Sequence, residues 1–322
     1  MTEIATLRLA ADPAGIAAAA AILRRGGLAA FPTETVYGLG ADAGSAEAVA
    51  GIYAAKGRPR FNPLIAHVPD LDTATGQGAF GPDALALARA FWPGPLTLVV
   101  PAAPGCTVSD LARAGLGSVA LRVPAHPVAR ALIAAAGVPV AAPSANRSGR
   151  VSPTAADHVL GDLDGRIDAV LDGGSTAVGV ESTIVSCLGE PTLLRPGGVT
   201  REAIEAVLGR ALAAPAAGGP TVAPGMLLSH YAPRAAVRLG VEALRSGEAG
   251  LDFGGRFAGR GAPVLDLSPR RDLAEAAANL FGHLRRLDEA LAGAGAIAVA
   301  PIPEEGLGEA IADRLRRAAA ER

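Results

Sequence analysis

The densest chemistry in this chain is the run Lys56-Gly57-Arg58-Pro59-Arg60-Phe61-Asn62-Pro63, which places three cations and an amide within seven residues. Lys56 is the only lysine among 29 lysines and arginines. An ammonium is a compact point charge that can follow a phosphate, whereas a guanidinium is a planar fork. Upstream, the turn Pro32-Thr33-Glu34-Thr35 offers hydroxyls, and downstream His67 sits in an apolar run. Hydroxyls on one side and a rigid basic loop on the other suit a small polar substrate lying beside phosphates.

Further polar residues recur where apolar runs begin or end. Arg122 lies inside Ser118-Val119-Ala120-Leu121-Arg122-Val123. A buried, unpaired arginine is too costly to keep. It therefore either pairs with an internal acid such as Glu181 or faces a cavity and meets a ligand carboxylate. His67 can be structural or functional on the same grounds. Ser144 and Asn146 follow one apolar run and could simply form a turn. Glu181-Ser182-Thr183 opens another run, and Arg195 closes one beside Gly197-Gly198. Together these put polar groups at the ends of at least five expected strands, where ligands bind in open α/β sheets.

The elements that must position them alternate. Strands are expected over 28–31, 64–68, 96–100, 118–123, 138–142, 169–171, 182–187 and 192–194. Helices are expected from Asp12-Pro13 to Arg25, over 45–55, 82–91, 126–137 and 154–160, and from Thr200 to Leu208. Residues 211–224 are rich in Ala, Pro and Gly and carry no charge, which marks a boundary. The pattern then restarts with strands over 237–239, 250–253, 264–266 and 296–300 and helices over 272–291 and 307–320. The fold class is α/β: a twisted mixed open sheet with flanking helices, plus a smaller C-terminal doubly wound domain. The expected division is residues 1–210, a linker over 211–235, and residues 236–322.

Composition narrows the function. Apolar residues make up 50% of 322 residues but aromatics only 3%, so the core is Ala, Val and Leu. A net charge of −2 excludes a generally basic nucleic-acid binder. Local patches remain open, because residues 101–150 carry five arginines against one acid. Cys106 and Cys187 have no metal-ligand spacing and are read as reduced thiols. The N-terminus lacks a signal-peptide pattern and no run is apolar enough to span a membrane, so a cytoplasmic protein is expected. Gly38-Leu39-Gly40-Ala41-Asp42-Ala43 fits a dinucleotide fingerprint, but Gly57-Arg58 stands where its acid should be. Walker, nucleophile-elbow and zincin motifs are missing from the sequence.

PTETVYGLGADA from Pro32, KGRPRFNPL from Lys56, FWPGPLTLV from Phe91, LRVPAHP from Leu121, APSANRSG from Ala142 with VSPTAADHV from Val151, VESTIV from Val180 and LLRPGG from Leu193 occur in that order. In this set and order they closely resemble the YrdC-like family of threonylcarbamoyl-AMP synthases, over nearly all of residues 10 to 210. SHYAP at Ser229–Pro233 and the C-terminal region resemble its longer, two-domain branch. The resemblance implies synthesis of threonylcarbamoyl-adenylate and pyrophosphate from L-threonine, bicarbonate or CO2, and ATP. Other proteins then move the group onto an adenosine beside the tRNA anticodon.

By resemblance, threonine should contact Thr35, His67, Arg122, the Ala142 backbone and Ser182, with Arg122 taking its carboxylate. ATP should contact Arg58, Asn62, Ser118, Ser144, Asn146, Ser152, Arg195 and Tyr231, with Lys56 near the phosphates and Mg2+ accompanying them. Lys56 and Arg58 are the residues expected to carry catalysis, and the interdomain segment should close over the nucleotide through Tyr231. One departure is Val151, where the family commonly has proline; a rigid φ is lost, but no contact group. The alternative is a tRNA-binding module without its own adenylation activity, in which Lys56, Arg58, Arg60, Arg147 and Arg150 neutralise phosphates. Sparse aromatics argue against base stacking. A carbamoyl-transferring enzyme of the hydrogenase-maturation kind would bring acylphosphatase-like and zinc-finger segments, which do not occur in this sequence.

Overall fold

The computed structural model describes residues 5–59, 62–215, 231–259, 262–292 and 294–320. Arg60 and Phe61 of the basic run, residues 216–230 of the expected linker, and Ser229 and His230 of SHYAP lie outside the described residues.

Strand β1 (Leu7–Ala10) leads into α1 (Pro13–Arg24), whose Asp12 cap accepts from the Gly15 N–H at 2.8 Å, with proline in the first turn. Then come β2 (Ala29–Phe31), β3 (Gly38–Asp42) and α2 (Ala46–Lys56), which Ser45 caps. β4 (Ile65–His67), α3 (Leu71–Gln77), α4 (Pro82–Phe91), β5 (Leu96–Pro101) and β6 (Ser118–Arg122) follow. Next are α5 (Pro127–Ala136), β7 (Val140–Ala141), α6 (Ala156–Leu163), β8 (Ala169–Asp172), β9 (Thr183–Ser186), β10 (Thr192–Arg195) and α7 (Arg201–Leu208). The C-terminal part holds β11 (Ala236–Arg238), β12 (Glu248–Asp252), β13 (Val264–Asp266), α8 (Leu273–Ala290), β14 (Ala296–Val299) and α9 (Leu307–Ala319).

Among the described residues, β1 to β10 form one ten-stranded mixed sheet in the order β1-β8-β2-β3-β7-β4-β6-β5-β9-β10. β11 to β14 form a separate four-stranded sheet, β11-β14-β12-β13, all parallel. The large sheet buries one face, carrying Leu39, Ala66, Leu98, Leu121 and Val185, in the main core with α2 and α4. On the other face, Ala29, Phe31, Val140 and Leu171 pack beneath α1 and α5. Further along that face Ile65, Val99, Ala120 and Ile184 form a small apolar floor.

The C-terminal part docks against the large-sheet half. Val36, Val151 and Val180 share a cluster with Tyr231, Leu280, Phe281 and Leu284. The Arg285–Asp162 pair at 2.8 Å and the Arg201–Glu309 pair at 2.5 Å cross the same junction. At Gly179 the chain has φ +76°, and a Cβ there would lie 2.3 Å from the Ala277 carbonyl of α8. Only glycine permits this approach.

The sequence reading missed β1, β3 and α3, and it placed α6 too early, at 154–160 rather than Ala156–Leu163. β3 carries glycines where strand formers are expected, and α3 is a single short polar helix held by its Asp70 cap at 2.8 Å. Gly38 and Gly40 lie within β3, paired antiparallel to β2, so the strand–turn–helix context of the dinucleotide fingerprint is absent.

Candidate active site

Strand alternation builds the site. His67 follows Ile65 on one face of β4, Ser118 and Arg122 flank Ala120 on β6, and Thr97 precedes Val99 on β5. Ser182 stands two residues before Ile184 of β9 on the same face. The register pairs His67 with Arg122 and Leu96 with Thr183, bringing these polar groups to one end of the apolar floor. Thr97 and Ser182 hydroxyls meet at 2.8 Å. A cavity of about 40 Å3 opens there. Thr35, His67, Arg122, Ala142, Ser144 and Ser182 line it together with Arg58, Glu181, Arg195 and Tyr231, and Val36, Ile65 and Pro143 complete the wall.

Arg122 does not pair with Glu181. Its Nη2 meets Glu34 Oε1 at 2.7 Å, its Nη1 donates to Thr35 Oγ1 at 3.0 Å, and its Nε donates to the Gly94 carbonyl at 3.3 Å. The turn after β2 brings Glu34 across the sheet, a closure that sequence separation concealed. Burial works to raise the Glu34 pKa, but the charge and hydrogen bond of Arg122 outweigh it and hold the carboxyl below its ordinary value. A guanidinium has five N–H donors and three are engaged, so two remain for a ligand carboxylate. Arg122 is thus paired with an acid, Glu34 rather than Glu181, and it also lines the cavity. Burial, reinforced by Arg122, pushes His67 down to about 3, leaving it a neutral imidazole.

At the other end Arg195 donates through Nε and Nη2 to the Ser182 carbonyl, at 3.1 and 2.8 Å. Arg58 makes one long bond to the Pro63 carbonyl at 3.3 Å, and burial lowers its pKa to about 10. Lys56 does not line the cavity. Its ammonium donates to the carbonyls of Ser144 and Asn146 and so fixes the loop after β7. Asn146 in turn donates to the carbonyls of Arg147 and Arg150, at 2.9 and 2.8 Å. Asn62, Ser118, Asn146 and Ser152 are buried but also stand outside the cavity wall. Both amide atoms of Asn62 are buried without a partner among the described residues, polar capacity that a ligand could use.

Two family profiles match consecutive parts of the chain. A family profile described as telomere recombination (Sua5/YciO/YrdC) matches residues 21–197. A second, described as threonylcarbamoyl-AMP synthase, C-terminal domain, matches residues 199–320. The chain belongs to the Sua5/YrdC family. Within it, the Bacillus subtilis protein named threonylcarbamoyl-AMP synthase is 43% identical over 98% of this chain and 95% of its own. A crystal structure of Pyrococcus abyssi Sua5 in complex with L-threonine superposes with a TM-score of 0.87 at 40% identity, covering 99% of this chain and 98% of that one. Escherichia coli YciO, at 21% identity and a TM-score of 0.51, shares the fold over 61% of this chain and 96% of its own.

Three residues that shape the site in this Sua5/YrdC member escaped the sequence reading. In the sequence Glu34 shows only as part of a polar turn, and Thr97 lies within an apolar run, although alternation with Val99 signals its face. The third is Arg314 of α9, whose Nε donates to Glu181 Oε2 at 2.7 Å while Glu181 Oε1 accepts from Ser152 Oγ at 2.5 Å. Arg314 shares a helix stripe with Ala310, Ile311, Leu315 and Ala318, and an arginine at that spacing was the available signal. Among the described residues no three His, Cys, Asp or Glu side chains could hold a metal ion, and Glu34 and Glu181 are committed to arginines.

Proposed function

We propose that this protein condenses L-threonine, bicarbonate or CO2, and ATP into threonylcarbamoyl-AMP, releasing pyrophosphate. The observation that carries this reading is a single cavity with two chemically distinct ends. A carboxylate-ready arginine with a hydroxyl and a neutral imidazole stands at one end, and two buried arginines with a tyrosine stand at the other. The first end suits a small hydroxy amino acid. The second suits a nucleotide's phosphates and base.

The threonine carboxylate takes the two spare donors of Arg122, and Thr35, Ser182 and the Ala142 backbone fix its remaining polar atoms. Neutral His67 keeps a second positive charge away from the amine, which must be unprotonated to capture CO2. The carbamate oxygen then attacks the α-phosphorus, a bond forms to phosphorus, and pyrophosphate departs with its electron pair. No protein nucleophile takes part. Burial raises the Cys187 thiol to about 12, which suits an unreactive group rather than a nucleophile. Arg58 and Arg195 stabilise charge on the phosphates, and Lys56 holds the loop that carries Ser144 and Asn146. Mg2+ would enter with the nucleotide and offset phosphate charge, and neither Glu34 nor Glu181, each paired with an arginine, would hold it.

A cavity of about 40 Å3 is far below the roughly 300 Å3 that a small-molecule site needs. Nucleotide entry therefore requires the wall of the cavity to open. The tRNA-binding alternative fares worse, because Lys56, Arg58 and Arg195 are at most 8% exposed and cannot reach a polynucleotide backbone. Arg147 and Arg150 are exposed, and any direct tRNA contact belongs there, with separate proteins completing the transfer. A cytoplasmic location fits these partners, and among the described residues no helix is long and apolar enough to cross a membrane.

The test is pyrophosphate release from ATP with L-threonine and bicarbonate supplied together and each omitted in turn. Release needing both, with a threonylcarbamoyl-adenylate mass in the product, is expected. No release with Mg2+ present, together with salt-sensitive tRNA binding, would transfer the assignment to the binding module.

A further inference from the structure

Arg314 is the largest fully buried side chain of the described residues, and it comes from the C-terminal part, which none of the chemistry above uses. It occupies the apolar stripe of α9 and reaches across the junction toward the large sheet. Its Nε takes Glu181 Oε2 at 2.7 Å, its Nη1 takes the Pro196 carbonyl at 2.9 Å and Asp313 at 2.7 Å, and its guanidinium lies 5.3 Å from the centre of the Tyr231 ring. Phe281 of α8 stacks with that ring at 5.6 Å. Two side chains assigned to the nucleotide end, Ser152 through Glu181 and Tyr231 directly, thus rest on one arginine.

The charge order around Glu181 gives Arg314 its role. Glu181 lines the cavity together with Arg195. Among the described residues Arg195 forms no ion pair, and its bonds go to Ser182. Glu181 instead spends one oxygen on Arg314 and the other on Ser152. A buried carboxylate that loses its partner is costly to keep, and Arg195 is the other cation whose charge acts on Glu181.

We propose that Arg314 is a positioning residue for the nucleotide end of the site: by holding Glu181 it orients Ser152 and keeps Arg195 free for a phosphate. The C-terminal part is then a wall of the active site rather than an appended module. Arg314 makes no bond to Thr35, His67, Arg122, Ala142 or Ser182; its one route to the amino-acid end is Arg195, which bonds Ser182, so threonine binding is expected to change far less than ATP binding. This inference rests on the ATP-dependent reading above.

The experiment measures ATP and L-threonine binding separately by calorimetry on the full chain, alongside steady-state kinetics, for wild type, Arg314→Gln, Arg314→Lys and Arg314→Gln/Glu181→Gln. In Arg314→Gln, the Kd and KM for ATP are expected to rise at least about tenfold, the scale of a lost charge-assisted contact. The threonine Kd should change by less than about twofold, and kcat at saturating ATP should stay within about threefold. Arg314→Lys should recover part of the ATP affinity. The double variant should bind ATP more tightly than Arg314→Gln alone, because removing the Glu181 charge frees Arg195.

Equal losses for both ligands, or a double variant no better than the single one, would overturn the proposal. Wild-type protein that binds ATP but makes no threonylcarbamoyl-AMP sinks the functional reading and leaves the binding comparison decisive for Arg314. Turnover by the wild type with unchanged ATP affinity in Arg314→Gln sinks the inference alone. Wild-type protein that binds no ATP sinks both.

Discussion

Lys56 and Arg58 stand two residues apart and act by different routes. The Lys56 ammonium is enclosed behind the cavity wall, where burial and then Arg58 push its pKa well down while two carbonyl acceptors favour the charged form. Lys56→Ala would leave the Ser144 and Asn146 carbonyls buried without their donor, at a cost of about 1–3 kcal/mol for each unsatisfied group. Arg58 lines the cavity and makes one long hydrogen bond, so Arg58→Ala removes charge with little loss of structure. Both variants are expected to lose adenylation by at least about tenfold, but only Lys56→Ala should also lower Tm clearly. Initial rates and thermal melts on the same preparations make the distinction; wild-type turnover in either variant removes that residue from the site. Lys56 was legible in the sequence as the lone lysine in the densest polar run. Its job of holding the Ser144–Asn146 loop was not, because 88 residues separate it from the Ser144 carbonyl.

Among elements, the decisive features are the parity of four strands and the approach of α8. Because side chains alternate with period two, a shift of one residue in β4, β6, β5 or β9 would turn His67, Arg122, Thr97 or Ser182 into the opposite core. The approach of α8 is gated by Gly179, where a Cβ would lie 2.3 Å from backbone and φ is +76°. Gly179→Ala therefore has to displace α8 or strain the turn, at a cost above about 1 kcal/mol. Its expected signature is faster hydrogen exchange in α8 and α9 than in β4 to β6, with weaker ATP binding and preserved threonine binding. Wild-type exchange in α8 would show that the junction absorbs the methyl group. The sequence showed Gly179 only as a residue before a strand; the helix it admits begins 94 residues later.

For the whole molecule, acid sensitivity follows from where the histidines end up. Burial, more than any charge effect, lowers His67 to about 3 and His158 to about 4, and it also lowers His126 and His283. The unfolded chain binds a proton at each near pH 6.5, while in the native protein His67 and His158 stay neutral until the pH is far lower. The unfolded state therefore binds more protons as pH falls below about 6.5, and stability declines from there toward the folded values. Tm is expected to drop between pH 7 and pH 5, and His67→Asn should make the drop shallower; parallel slopes would show that His67 is not buried neutral. By itself the sequence determined the α/β class, most helix and strand positions, the restart after residue 211, and most of the polar residues that line the cavity. Local capping, periodicity and an ordered set of motifs are short-range properties, and the chain displays them directly. Only the tertiary structure decided that Glu34 rather than Glu181 neutralises Arg122, that Lys56 holds a loop, and that Arg314 of α9 pairs with Glu181 across the junction. Each of these pairs joins residues 88 or more apart, and which buried charge meets which is settled by sheet order and docking rather than by spacing along the chain.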